Sequence, residues 1–145
     1  MNKSTNFLDV AEVSIVYKNN VPAKKKIQIK SSIDIHKLMK HILQDVVSHH
    51  EEFWIVLLDQ SNHVMGISEI AKGGITETTT DIRIIYQTAL KANSVKLCLM
   101  HNHPSGCLTP SPQELHLTKR IVEAGRLMSI IVIDHIIITE NSYFS

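Results

Sequence analysis

The chain has 145 residues, of which 20% are charged and 43% hydrophobic. That supports one domain with a buried core and excludes a disordered or low-complexity polypeptide. A net charge of +1 gives no strong pull toward nucleic acid, and no apolar run approaches the roughly 20 residues that cross a bilayer.

In chain order, residues 1–10 read as a loose arm and 11–145 as a single domain. The polar N-terminus carries no signal peptide pattern. Two cysteines make no disulfide framework, so a reducing cytoplasm is the expected compartment. Residues 11–17 and 26–30 read as strands around a turn at 19–22. The lysine run at 24–26, with Lys30, is too short to track a phosphate backbone and reads as a solvated strand edge. Ser31 or Ser32 caps a helix reaching about Val47, with Ile33, Ile35, Leu38, Met39, Ile42, Leu43 and Val46 at helical spacing. Strands follow near 53–58 and 64–71, joined by a turn at 60–62. After Gly73 and Gly74 comes a helix over 81–91, then an apolar strand over 94–100. A third helix starts at Ser111 and runs to Gly125 or slightly beyond. Residues 130–133 and 135–139 form one bent strand or two. Strands interleaved with three helices predict an α/β domain, a mixed sheet covered by helices.

The most informative stretch is 101–114, His-Asn-His-Pro-Ser-Gly-Cys-Leu-Thr-Pro-Ser-Pro-Gln-Glu. His101 and His103 leave the end of a strand on one face, with Asn102 pointing the other way. Ser111, Pro112 and Glu114 write a helix start in which the acid can face back toward the histidines. Two imidazoles and a carboxylate form a three-ligand set with a fourth position open to water, as in catalytic zinc. Two other readings stand beside it: Glu114 serves only the capping box with Ser111, or Cys107 replaces it as a ligand. Cys98, in mid-strand, reads as core. His135 either sits near the site or bonds a neighbouring strand, the structural role being preferred, and the remaining histidines, His49 and His50 among them, read as surface residues. Asn102 and Ser105 are candidates for shaping a substrate loop.

These residues resemble the JAMM (MPN/JAB) metalloprotease signature of an upstream glutamate, His-x-His-Pro and Ser-x-x-Asp. The nearest variant is the RadC-like JAB domain, matched through His101-Asn-His-Pro-Ser-Gly106, Thr109-Pro-Ser111, Leu117-Thr-Lys-Arg120 and Asp134-His-Ile-Ile-Ile138. The likeness runs from about Glu51 to the end and more loosely back to Ala11. Cys107-Leu108 stands where the family has Asp-Pro, and Glu114 where it has Asp. The resemblance implies a JAB/MPN, cytidine-deaminase-like architecture with zinc on His101, His103 and Glu114, Ser111 stabilising an oxyanion, and an upstream glutamate as general base. The family's Glu-x-Phe pattern falls on Glu51; Glu52 is the alternative, and a solvated acidic strand entrance is the plain reading of both.

It also implies hydrolysis of a peptide or isopeptide bond in a protein substrate. A DNA-repair role is the alternative, from the family's historical label; a degenerate, metal-free binding module is another. The first fifty residues show no helix-hairpin-helix module of the kind RadC-like proteins often carry, which makes a nucleic-acid partner the weaker expectation.

Overall fold

The computed structural model describes residues 11, 14, 16–73 and 80–145. Its elements run α1 (Ser32–Leu43), β1 (Glu52–Leu58), β2 (Val64–Lys72), α2 (Ile82–Lys91), β3 (Lys96–Asn102), α3 (Pro112–Leu127), β4 (Ile131–Ile138) and β5 (Tyr143–Phe144). The strands make one five-stranded sheet in the order β2-β1-β3-β4-β5. β1 is antiparallel to β2 and β3, β3 is parallel to β4, and β5 returns antiparallel to β4. Parallel neighbours need a crossover connection, and α3 provides it.

Consecutive strand residues face opposite sides, so the unbroken apolar runs of β1 and β3 require cover on both. Phe53, Ile55, Leu57, Leu97 and Leu99 pack against Ile85 and Tyr86 of α2 and Ile121 of α3. Val56, Leu58, Cys98 and Met100 point the other way onto Ile35, Met39 and Leu43 of α1. This is the mixed sheet covered by helices that the sequence predicts. Among the described residues, no helix is long and apolar enough to cross a membrane.

Several boundaries differ from expectation. The arm at 1–10 and positions 12, 13 and 15 of the first expected strand lie outside the described residues; Ala11, Ser14, Val16 and Tyr17 belong to no element. Residues 26–30 are not a strand. A single bridge joins Gln28 to His63, held by Ile29 N–H donating to Asn62 O at 2.9 Å and Val64 N–H to Ile27 O at 2.8 Å. Only Ile29 of that segment is buried while Ile27 stays exposed, so no apolar face extends the pairing. α1 stops at Leu43 rather than near Val47: Val46 and Val47 both donate to the Leu43 carbonyl, and the Val47 carbonyl accepts from the Asn102 side chain at 3.0 Å. Ile33 and Ile42, counted on its apolar face, are exposed. β4 is one continuous strand, and β5 was not foreseen.

Candidate metal centre

β3 continues through Asn102, two residues beyond its expected end. His101 therefore sits inside the sheet and His103 immediately past it; they are 5% and 8% exposed. The chain then turns at Gly106, whose φ of 80° is in the left-handed region that glycine enters without strain. Ser111 caps α3, accepting the Glu114 amide on its hydroxyl at 3.2 Å. In return Glu114 Oε2 accepts the Ser111 amide at 2.5 Å. That reciprocal box turns Glu114 Oε1 toward the strand end.

There Oε1 lies 3.0 Å from His101 Nε2 and 2.8 Å from His103 Nε2, with the two nitrogens 2.8 Å apart. The three residues are positioned to hold a metal ion. Burial works against ionisation of Glu114, yet its close contacts with His101, the Ser111 amide and His103 lower its carboxyl pKa.

The outward ring nitrogens fix the tautomers. Thr118 Oγ1 donates to the Glu114 carbonyl at 2.8 Å, so the 2.6 Å contact with His135 Nδ1 is a donation from the ring. His135 Nε2 is then an acceptor, and the 2.8 Å contact with His101 Nδ1 is donated by His101. Burial pushes His135 down to about 3, which keeps that ring neutral. His103 Nδ1–H likewise donates to the Cys107 carbonyl at 2.6 Å. Both Nε2 atoms thus present lone pairs to each other and to a carboxylate oxygen. Three acceptors at such distances repel unless a positive charge lies between them, and two imidazoles with one carboxylate are a donor set suited to a divalent transition metal. Ligating histidines whose other nitrogen is committed to a partner are the usual outer shell of such a site.

The strand register sets the two upstream acids apart. Phe53 pairs with His101 and its ring lies near-parallel to the imidazole, centroids 6.0 Å apart. Continuing that antiparallel register two residues places Glu51 opposite His103, on the same face. Glu51 lines a cavity of about 770 Å³ together with His103, Glu114 and Ser111. Glu52 points to the opposite side and is 3% exposed, not a solvated acid. It accepts from Trp54 Nε1 at 2.8 Å, meets His50 Nε2 at 2.7 Å and pairs with Lys72 at 3.4 Å. Against its burial, these contacts lower its carboxyl pKa. His50 is accordingly half-buried rather than a surface residue.

Asn102, fully buried, does not shape a loop. Its side-chain amide donates to the carbonyls of Val47 and His50 at 3.0 and 2.7 Å, and its oxygen accepts the Glu52 amide at 2.8 Å, gripping the chain on both sides of Glu51. Cys107 presents its carbonyl, not its exposed thiol, to His103; the thiol is not part of the cluster. Cys98 is core, and burial raises its thiol pKa. His135 bonds the neighbouring strand and, through His101, is also part of the site; Thr118 is the partner that sequence reasoning missed. A polar residue inside the isoleucine run of β4 was the available signal, because a buried polar group needs a bonding partner.

A mixed sheet between helices, with two histidines at a strand end and an acid on the next helix, is consistent with a JAB/MPN domain. Residues 29–145 match the RadC-like JAB domain, and the chain belongs to that family. A UPF0758 protein of Flavobacterium johnsoniae is 40% identical over 118 residues, 81% of this chain and 51% of the relative. A UPF0758 protein of Syntrophomonas wolfei is 34% identical over 119 residues, with the same two coverages. One from Desulforamulus reducens is 34% identical over 125 residues, 86% of this chain and 54% of the relative. The chain spans about half the length of the curated relatives it matches.

Proposed function

We propose that this chain is a zinc-dependent hydrolase of amide bonds, a metallopeptidase or isopeptidase acting on a protein substrate. One observation carries the reading: two imidazole lone pairs and a carboxylate converge on the wall of a cavity that Glu51 and Ser111 also line. Zinc bound there supplies Lewis acidity, which makes water ionisable near neutral pH and a carbonyl more electrophilic.

The protein's own groups do the rest. Glu51 takes the proton from the attacking water and delivers it to the leaving nitrogen. The Ser111 oxygen is occupied as an acceptor by the Glu114 amide, which leaves its O–H to donate to the oxyanion. His135 and Thr118 hold His101 in the tautomer that offers Nε2, and the Cys107 carbonyl does the same for His103. Glu114 in place of the family's Asp still reaches both the helix cap and the histidines, so the substitution preserves the donor set.

Elemental analysis after purification without added metal, together with a panel of peptides, isopeptide conjugates and single- and double-stranded DNA, tests the proposal. About one zinc per chain and zinc-dependent cleavage of a peptide or isopeptide bond is the expected result. Less than about a tenth of an equivalent with no uptake on titration, or zinc-dependent loss of DNA with every peptide intact, overturns it.

A further inference from the structure

Along α3 beside Glu114 the cavity wall changes character. Gln113, His116, Leu117 and Arg120 line it, at the i, i+3, i+4, i+7 positions of one helix face. Arg120 is the one permanent cation among the described residues that line this cavity. Its guanidinium makes no ion pair with a described residue, although Glu123 follows at the i+3 spacing that favours one. The Thr80 hydroxyl, which lines the same cavity, is buried without a hydrogen-bond partner among the described residues. Buried hydroxyls are ordinarily bonded, so the cavity presents both a charge and a polar group that no described residue engages.

We propose that Arg120 forms an anion-binding subsite of the cleft, and that the substrate is a peptide carrying a carboxylate two or three residues from the bond that is cut. The inference rests on the hydrolase reading for the position of the cut. Six residues of helix separate Glu114 from Arg120, a rise of about 9 Å, and an extended peptide covers that in two to three residues at roughly 3.4 Å each. A guanidinium fork binds a planar carboxylate through two parallel N–H bonds. The Glu114 carboxylate is turned toward the histidine pair at the strand end, a helix rise of about 9 Å from Arg120. A carboxylate at this point has two sources, a free C-terminus or an aspartate or glutamate side chain.

Three probes separate them: acetyl-tetraalanine with a free C-terminal carboxylate, the same peptide as its amide, and acetyl-Ala-Ala-Ala-Asp amide. Dissociation constants are measured by NMR titration on the purified protein, on Arg120→Gln, and on Lys119→Gln, a neighbouring cation that does not line the cavity. At least one acidic probe should bind about tenfold more tightly than the neutral amide, the worth of one charge-assisted pair. Arg120→Gln should reduce that advantage below about twofold while leaving the neutral amide unchanged, and Lys119→Gln should preserve it. A preference for the free terminus assigns an end-of-chain substrate; a preference for the aspartate assigns an internal acidic residue. No acid preference in the parent protein, or one that survives Arg120→Gln, overturns the subsite. Cleavage is read separately by mass spectrometry on zinc-loaded protein. Acid-selective binding with no cut of these probes or of the peptide and isopeptide panel removes the hydrolase reading and leaves the subsite standing, whereas cutting without acid selectivity does the reverse.

Discussion

Glu114 reaches back to the Ser111 amide with one carboxylate oxygen, at 2.5 Å, and keeps the other for the histidine pair. Capping and ligation, alternatives in the sequence, are therefore simultaneous. Glu114→Gln separates them, since an amide oxygen can still accept the Ser111 N–H but carries no charge. Metal content measured after purification should fall well below one equivalent, while the melting temperature of the metal-free protein stays close to that of the parent. Glu114→Ala should lose the metal and, in addition, about 1 kcal/mol of stability from the broken cap. Full zinc in Glu114→Gln would show that the carboxylate is not a ligand.

The chain from His101 through His135 to Thr118 should tune metal affinity without touching the metal. Thr118→Val removes the acceptor of His135 Nδ1–H, and His135→Ala removes the acceptor of His101 Nδ1–H. Each should weaken zinc roughly 10–100-fold in a competition titration against a chromophoric chelator. An affinity unchanged in both would mean that the tautomer of His101 is set elsewhere.

The adjacent acids of the β1 entrance should respond in opposite ways. Glu51→Gln should keep its zinc and its melting temperature while hydrolysis falls by about 10²–10⁴-fold. Glu52→Gln should cost about 1–3 kcal/mol, because Trp54, His50 and Lys72 lose a buried charged acceptor. The Glu52 carboxyl is held below its ordinary 4.5. The stability this provides is complete above pH 4.5 and is lost as pH falls through the lowered folded value. Denaturant titrations from pH 7 to 3 should show a shallower acid loss in Glu52→Gln than in the parent; parallel curves would remove Glu52 from the explanation.

Gly125 lies in α3, where alanine is favoured by up to about 1 kcal/mol on helix propensity. A Cβ there would stand 2.4 Å from the Ile130 carbonyl oxygen and 2.7 Å from the Tyr86 hydroxyl, whose proton goes to the Ile121 carbonyl. The first of those atoms is backbone and cannot step aside. Gly125→Ala should therefore destabilise by about 1–3 kcal/mol despite its propensity, read from the urea midpoint. A stabilised variant would place the α3–β4 corner further apart.

Where the sequence was readable, one physical signal dominated. The apolar runs of β1 and β3 admit no amphipathic reading, and the Ser-Pro-x-Glu start of α3 has both a cap and a first-turn proline. Where it was not, the deciding contacts were distant in sequence. The carbonyl of Val47 is drawn away by Asn102, which no periodicity in 32–47 encodes. β5 has two residues and exists through its pairing with Ile137 and Ile138. His135 comes beside His101 through the parallel register of β3 with β4, which contains an irregularity between Leu97 and Cys98. Ligand spacing was legible because the cluster spans one turn and one helix start; the partners that orient it arrive from β4 and from the middle of α3.

The cluster residues lie within 14 consecutive positions, whereas Glu51 stands 50 positions before His101 and reaches the cavity through the pairing of β1 with β3. On the hydrolase reading, chelation and proton transfer thus draw on different parts of the chain. On the same reading, metal content accordingly reports segment 101–114 with the partners that orient it, and the register of the central strands decides how much of the loaded protein also carries Glu51 at the cavity.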